Sequence, residues 1–266
     1  ISGKDSTQIP PGARNLSMVF QDLALYPHMT VANNLTFALK ANKLPKEEIE
    51  RKLIHYLELL KLTEIRNKKP LEISGGERQR VALGRAMIKD PILYLMDEPM
   101  SNLDLRMKDF LIDELLMIHK SIPTTIIYVT HDQDEAVKLA DRIAVMYMGE
   151  IQQVGSPRQI YFEPKNIFVA SFFGNPIINL IWGSLRDGRL KIKSFELGKK
   201  EELKISNNYS KKRIIIGIRP EDLKVARLSK RKGVGIESVI KRKIVMGNYA
   251  LLYFDLSGNR VKLTDQ

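Results

Sequence analysis

Ile92-Leu93-Tyr94-Leu95-Met96 is an unbroken apolar run confined between Pro91 and Pro99. Continuous rather than alternating hydrophobicity is what a parallel strand covered on both faces requires. The two prolines hold the run to strand length. Thr125 to Thr130 has the same texture. Between the two runs, Phe110, Leu111, Leu115 and Ile118 recur at helical spacing over Leu105 to Lys120. Asp134 to Ala140 reads as a further helix, and Ile143 to Tyr147 as a third strand. Strand, helix, strand, helix, strand predicts an α/β fold around a parallel sheet. Upstream, residues 15–20 predict a short strand ending at Gln21. Residues 33–62 predict helix, with Leu35, Leu39, Ile49, Leu53, Leu57 and Leu60 on one side and Pro45 dividing the stretch.

The texture changes after Pro176. Short alternating segments at 189–193, 203–205, 213–218, 234–245 and 249–254 predict a second, β-rich domain. Charge changes with it. Residues 1–185 balance Lys/Arg against Asp/Glu one for one, so the whole net charge of +12 resides in 186–266. Such a segment faces nucleic acid or an anionic surface in some proteins and is a solvated lysine-rich surface in most. The absence of cysteine excludes disulfides and thiolate metal sites. No stretch of 18 uncharged apolar residues occurs, which excludes a helical membrane span.

The ends of the predicted strands carry the polar chemistry. Asp97-Glu98 follows the apolar run directly, and ligands of open α/β sheets bind beyond the carboxyl ends of strands. Asp97 there suits a hydrated Mg²⁺. Glu98 suits a water nucleophile that needs orientation or deprotonation. Thr130-His131 ends the next strand, which puts His131 beside Glu98 on the same sheet edge. Gln21 ends a third strand, with an amide able to hold a metal and a water. Ser101-Asn102-Leu103-Asp104 is a polar turn past the acids, read either as helix capping or as part of a subunit seam. Ile73-Ser74-Gly75-Gly76-Glu77 is a helix start: Ser74 caps, and Glu77 three residues on completes a capping box. The glycines leave the first N–H groups uncovered, and a helix N-terminus with free donors is an anion site. Taken alone, the same residues also make an ordinary capped helix.

The motifs in order decide between these readings. Val19-Phe20-Gln21, Tyr26-Pro27-His28-Met29-Thr30-Val31, Ser74-Gly75-Gly76-Glu77-Arg78-Gln79-Arg80, Leu95-Met96-Asp97-Glu98-Pro99, Ser101-Asn102-Leu103-Asp104 and Tyr128-Val129-Thr130-His131-Asp132-Gln133 resemble the Q-loop, signature, Walker B, D-loop and switch-histidine motifs of ABC-transporter ATPase subunits. Ala140-Asp141-Arg142-Ile143, Gln153-Val154-Gly155-Ser156-Pro157 and Gly217-Ile218-Arg219-Pro220-Glu221-Asp222 are similar to the sugar-importer branch, the maltose and glycerol-phosphate type. The resemblance implies an incomplete P-loop NTPase parallel sheet with an inserted helical subdomain at about 30–90, within an ATPase domain over 1–175. It implies an OB-like regulatory β domain over 176–266, itself incomplete. It further implies ATP and Mg²⁺ as ligands, with Glu98, His131 and Gln21 catalytic and Asp97 and Gln21 at the metal. Ser74, Gly75, Gly76, Glu77 and Asp104 would meet nucleotide across a head-to-tail dimer. Permease subunits would dock around Tyr26–Met29, at the cytoplasmic face of the membrane, with no nucleic-acid partner.

One family element has no counterpart in these 266 residues: no G-x-x-x-x-G-K-[ST] loop occurs. Lys4 in Ile1-Ser2-Gly3-Lys4-Asp5 is followed by Asp and stands too close to Gln21, and Gly198-Lys199-Lys200 fails the pattern as well. The initial Ile leads us to expect an N-terminally shortened version of a complete ATPase, with a split or degenerate subunit as the alternative. Either way the chain alone is expected not to hydrolyse ATP. Its sheet strands, lacking the family's central neighbour, are expected to be marginally stable. A nucleic-acid-associated ATPase or basic OB-type module is the alternative function, favoured by the charge of 186–266.

Overall fold

The computed structural model describes the chain except residues 2, 102, 122–123, 187–188, 193–194, 200–212, 226–237, 247–248, 257–258 and 266. Predicted features at Asn102, 203–205 and 234–237 therefore lie outside the described residues. The chain divides into two compact units, Ile1–Leu139 and Ala140–Gln266.

The first unit is built on a parallel sheet of β1 (Leu16–Val19), β2 (Leu93–Asp97) and β3 (Thr125–Val129), in the order β1-β2-β3. The register sets Met18 beside Leu95 and Leu95 beside Ile127 on one face, and Val19, Met96 and Tyr128 in a row on the other. The second face carries the core. Val19, Tyr94 and Met96 are buried there in one cluster with Val81, Leu83 and Met87 of α3 (Gly75–Met87) and Leu111 and Leu115 of α4 (Leu105–Ser121). The predicted burial on both faces is not found within this chain: Ile127 and Val129 are each 51% exposed. The reason is that the cluster's helices supply apolar side chains to one side of the sheet. β2, for its part, has a hydrogen-bonded neighbour on each side, so it is not the strand left unpaired.

The predicted helical stretch is two helices, α1 (Val31–Ala41) and α2 (Lys46–Leu59), with Pro45 at the N-cap of the second. Leu35, Leu39, Leu53, Leu57 and Leu60 turn into the same cluster. Gly84 of α3 is where the helices approach most closely. A methyl group there would stand 2.7 Å from side-chain carbons of both Leu35 and Leu60. α5 (Gln133–Leu139) closes the unit.

In the second unit, β4 (Ile143–Tyr147) does not extend a parallel sheet. It pairs antiparallel with β5 (Glu150–Gly155). Met148 and Gly149 between them both take positive φ, 49° and 80°, which is the backbone of the two-residue hairpin turn that matches strand twist. Two short helices follow, α6 (Pro157–Phe162), opened by a Ser156–Gln159 capping box, and α7 (Ile167–Phe172). Arg219 caps both from their C-terminal sides: its guanidinium donates to the carbonyls of Tyr161 (3.0 Å), Ala170 (3.0 Å) and Phe173. The remainder is antiparallel. β6 (Asn179–Arg186), β7 (Arg189–Ile192), β8 (Phe195–Lys199) and β9 (Ile214–Ile218) form a sheet in the order β8-β7-β6-β9. β10 (Ile240–Met246), β11 (Tyr249–Leu256) and β12 (Asn259–Asp265) form a meander. Ile181, Ile192, Leu256 and Val261 join the two sheets in one small core. Buried Asn179 pins them, donating to the carbonyls of Ile218 (3.2 Å) and Lys262 (2.8 Å) and accepting from the Lys262 N–H (2.7 Å). The molecule is thus mixed α/β, with one parallel sheet and separate small antiparallel sheets. Among the described residues no helix is long and apolar enough to cross a membrane.

Candidate functional site

Three parallel strands end at one edge, and the residues that follow them meet there. Glu98 sits directly after β2, its N–H donating to the Val129 carbonyl of β3 at 2.9 Å. Its φ of +45° is unusual for a residue with a side chain. The turn aims the carboxylate between its neighbours. His131 Nδ1 lies 3.2 Å from one carboxylate oxygen, and Gln21 Nε2 donates to the other at 3.4 Å. Predicted separately from three strand ends, these side chains form one cluster. The imidazole is 73% exposed and Glu98 26%, so the group opens to solvent with the carboxylate partly sheltered.

Asp97 closes β2 one residue earlier, paired in register with Val129. No set of three His, Asp or Glu residues converges on a metal cage among the described residues. Asp97 and Gln21 stand at the ends of adjacent strands on this edge.

The second element is the head of α3. Ser74 Oγ accepts from the Glu77 N–H at 3.3 Å, while Glu77 accepts from the Ser74 N–H (2.7 Å) and hydroxyl (2.8 Å). Those two contacts hold the Glu77 carboxyl below its ordinary value. The capping box is as predicted. Ser74 is exposed, and Gly75 and Gly76 are half-exposed. A side chain at Gly75 would meet only the end of Arg78, at 3.8 Å, and one at Gly76 only Leu103, at 3.4 Å. Packing inside this chain therefore does not demand glycine at either position. What two bare positions keep open is the approach to the first N–H groups of the helix. Asp104 caps α4, accepting from the Met107 N–H at 3.1 Å. That is the capping reading of its turn.

The turn at Tyr26–Thr30 is rigidly held. Fully buried Asn34 donates to the carbonyls of Tyr26, Met29 and Thr30 and accepts from the Tyr26 N–H. Tyr26 packs against Phe37 in a tilted arrangement, ring centroids 4.8 Å apart and planes at 52°. Arg85, from the far end of α3, donates to the carbonyls of Leu23 (3.0 Å) and Ala24, both at positive φ, and stands over the Tyr26 ring. A cleft of about 190 Å³ opens beside this turn, lined by Ser17, Met18, Tyr26, Phe37, Arg85 and Lys89. Sequence reasoning missed Asn34 and Arg85. The only signal for either was a polar residue on an otherwise apolar helix face.

The comparisons with known proteins agree with this geometry. Residues 1–101 match the family model described as ABC transporter. The oligosaccharides import ATP-binding protein MsmX of Bacillus subtilis is 43% identical over 259 residues, 95% of this chain and 71% of that protein. The trehalose/maltose import ATP-binding protein MalK of Thermococcus litoralis is 48% identical over 219 residues, 81% of this chain and 59% of the relative. The diacetylchitobiose uptake system ATP-binding protein MsiK of Streptomyces coelicolor is 42% identical over 230 residues, 86% of this chain and 61% of the relative. The chain thus spans between 59% and 71% of the length of these relatives. With the motifs in order, three strand ends converging on Gln21, Glu98 and His131, and relatives this similar across most of its length, the chain belongs to the ABC-transporter ATP-binding subunits, of the sugar-importer type.

Proposed function

We propose that this chain is the ATP-hydrolysing, energy-coupling subunit of an importer for sugars or related solutes. The observation that carries the reading is the meeting of Gln21, Glu98 and His131 at one sheet edge. In this reading Glu98 orients and deprotonates the attacking water. His131, through its Nδ1–H, is steadied by Glu98 and turns its other nitrogen to the terminal phosphate. Asp97 and Gln21 hold a Mg²⁺, which when bound neutralises phosphate charge. Ser74, Gly75, Gly76 and Glu77 offer the head of α3 to the phosphates of a nucleotide seated on a second subunit, and Asp104 lies at the seam. The second subunit faces this one head to tail.

The phosphate cradle of the complete site comes from polypeptide other than these 266 residues, since they contain no G-x-x-x-x-G-K-[ST] loop. The turn Tyr26–Met29 and the cleft beside it are where we place the membrane subunit. Closing the two ATPase subunits on nucleotide then moves that contact as a rigid body. The reading sets the protein at the cytoplasmic face of the membrane. Residues 1–175 act as the ATPase domain, with the helices of about 30–90 as its helical subdomain, and 176–266 as an OB-like regulatory domain. Magnesium-dependent turnover tests the proposal. The chain alone is expected to be inactive. Supplying a phosphate loop beside the Gln21–Glu98–His131 edge is expected to restore hydrolysis, and Glu98→Gln to abolish it. Hydrolysis untouched by Glu98→Gln would defeat the reading.

A further inference from the structure

An ion network around buried Glu135 underlies the segment that carries His131. Lys108, on the first turn of α4 and four residues after its cap Asp104, donates to Glu135 Oε1 at 2.9 Å and Asp132 Oδ2 at 3.0 Å. The other oxygen of Glu135 accepts from the hydroxyls of Tyr128 (2.9 Å) and Thr130 (2.8 Å). The Thr130 hydroxyl in turn accepts from the Asp132 N–H at 2.9 Å. Asp132 Oδ1 accepts from the N–H groups of Asp134 and Glu135. Glu135 is only 3% exposed. His131 stands between the two residues this network fixes, Thr130 and Asp132, with its own ring free to reach Glu98.

A buried ion pair is a poor source of stability, because desolvation offsets most of its attraction. Fully satisfied, it is a strong constraint on geometry, since any slip leaves a charge unpaired. This network is satisfied at every carboxylate oxygen and spans three elements, α4, β3 and α5. We propose that Lys108 and Glu135 are positioning residues: they hold the Thr130–Asp132 step so that His131 stays against Glu98, and they tie that step to the Asp104 turn at the head of α4. A shift of α4 on assembly then reaches the imidazole through Lys108. The inference rests on the reading that Glu98 and His131 perform hydrolysis, and it adds residues that touch neither nucleotide nor water.

Two measurements test it. Amide exchange on the chain itself is expected to be about tenfold faster over 130–135 in Lys108→Met, with α3 unchanged, since local opening is what the network suppresses. In an assembly with a phosphate loop supplied beside Glu98, Lys108→Met is expected to lower kcat about tenfold and leave KM within about twofold, the pattern of a lost transition-state interaction. Lys108→Arg is expected to recover most of kcat. The double variant Lys108→Met/Glu135→Gln removes both charges and leaves only Asp132, partly exposed and still held by two backbone N–H groups, so it keeps the fold; it is expected to retain the lowered kcat. A double variant with wild-type kcat, in an assembly where Glu98→Gln is inactive, overturns the proposal and leaves the ATPase reading standing. If Glu98→Gln turns over like the wild type, the ATPase reading has failed instead. Exchange then decides the network alone, and unchanged exchange over 130–135 overturns it.

Discussion

Glu98 is held in a left-handed backbone conformation that costs a residue with a side chain on the order of 1 kcal/mol or more. That conformation directs its carboxylate to His131 and Gln21 at once. Glu98→Gln keeps the shape while removing the base, so it is expected to reduce turnover in the assembled protein by about 10²–10⁴-fold with an unchanged melting temperature. His131→Ala is expected to reduce it similarly in the same assay. The network behind the imidazole predicts a pH dependence. Burial alone would raise the Asp132 carboxyl, but the Lys108 ammonium and the N–H groups of Glu135 and Asp134 hold it below its ordinary value. Burial alone would lower Lys108, but Glu135 and Asp132 hold it above the ordinary lysine value. The depressed acid contributes stability that is present above the usual aspartate range and lost as pH falls through its folded value. The raised lysine contributes stability present below the usual lysine value and lost as pH rises through its folded value. Thermal melts across pH should therefore show a plateau between the two, and Lys108→Met should weaken both limbs. That Glu98 and His131 would meet was legible from the order of strands alone. The strained φ of Glu98 and the reach of Lys108 to Glu135, 27 residues on, were not, since neither leaves a periodic mark in sequence.

At the scale of elements, α3 does two jobs at opposite ends. Its head is capped by Ser74 and Glu77 and bare at Gly75 and Gly76; its tail anchors the loop before Tyr26 through Arg85. Ser74→Ala removes a cap worth about 1 kcal/mol. Chemical denaturation should register that loss. In the middle, Gly84→Ala would press a methyl group against Leu35 and Leu60, and a destabilisation of about 1–3 kcal/mol is expected from the same experiment. The capping box was readable because its two partners are three residues apart. The close contact at Gly84 was not, because it depends on how α1 and the end of α2 approach α3 in space. The β4–β5 hairpin escaped sequence reading for a related reason: Met148-Gly149 is a weak turn signal, and its tight turn shows only in the backbone. The same strand, read alone, has the apolar character of a parallel one.

For the molecule as a whole, the telling feature is the sheet face that its own helices leave uncovered. Met18 on β1 and Ile127 and Val129 on β3, the two strands flanking β2, are partly exposed next to the edge that carries Glu98. Apolar surface of this kind seeks cover. The purified chain is expected to self-associate with rising concentration and to bind a hydrophobic dye, and Ile127→Ser should reduce both in light scattering and fluorescence. The apolar runs were readable as strands, but the number of faces covered was not, because coverage depends on which helices reach the sheet. The unequal charge of the two parts is plain in sequence, whereas the pinning of two antiparallel sheets by Asn179 is a three-dimensional fact. The central claim is that the Gln21–Glu98–His131 edge serves a nucleotide held by a phosphate loop beside it, while the head of α3 reaches the nucleotide of a second subunit. Magnesium-dependent ATP turnover, measured on the chain alone and after a phosphate loop is supplied beside that edge, tests it most directly. The account predicts no turnover in the first case and Glu98-dependent turnover in the second; robust hydrolysis by the 266-residue chain alone would contradict it.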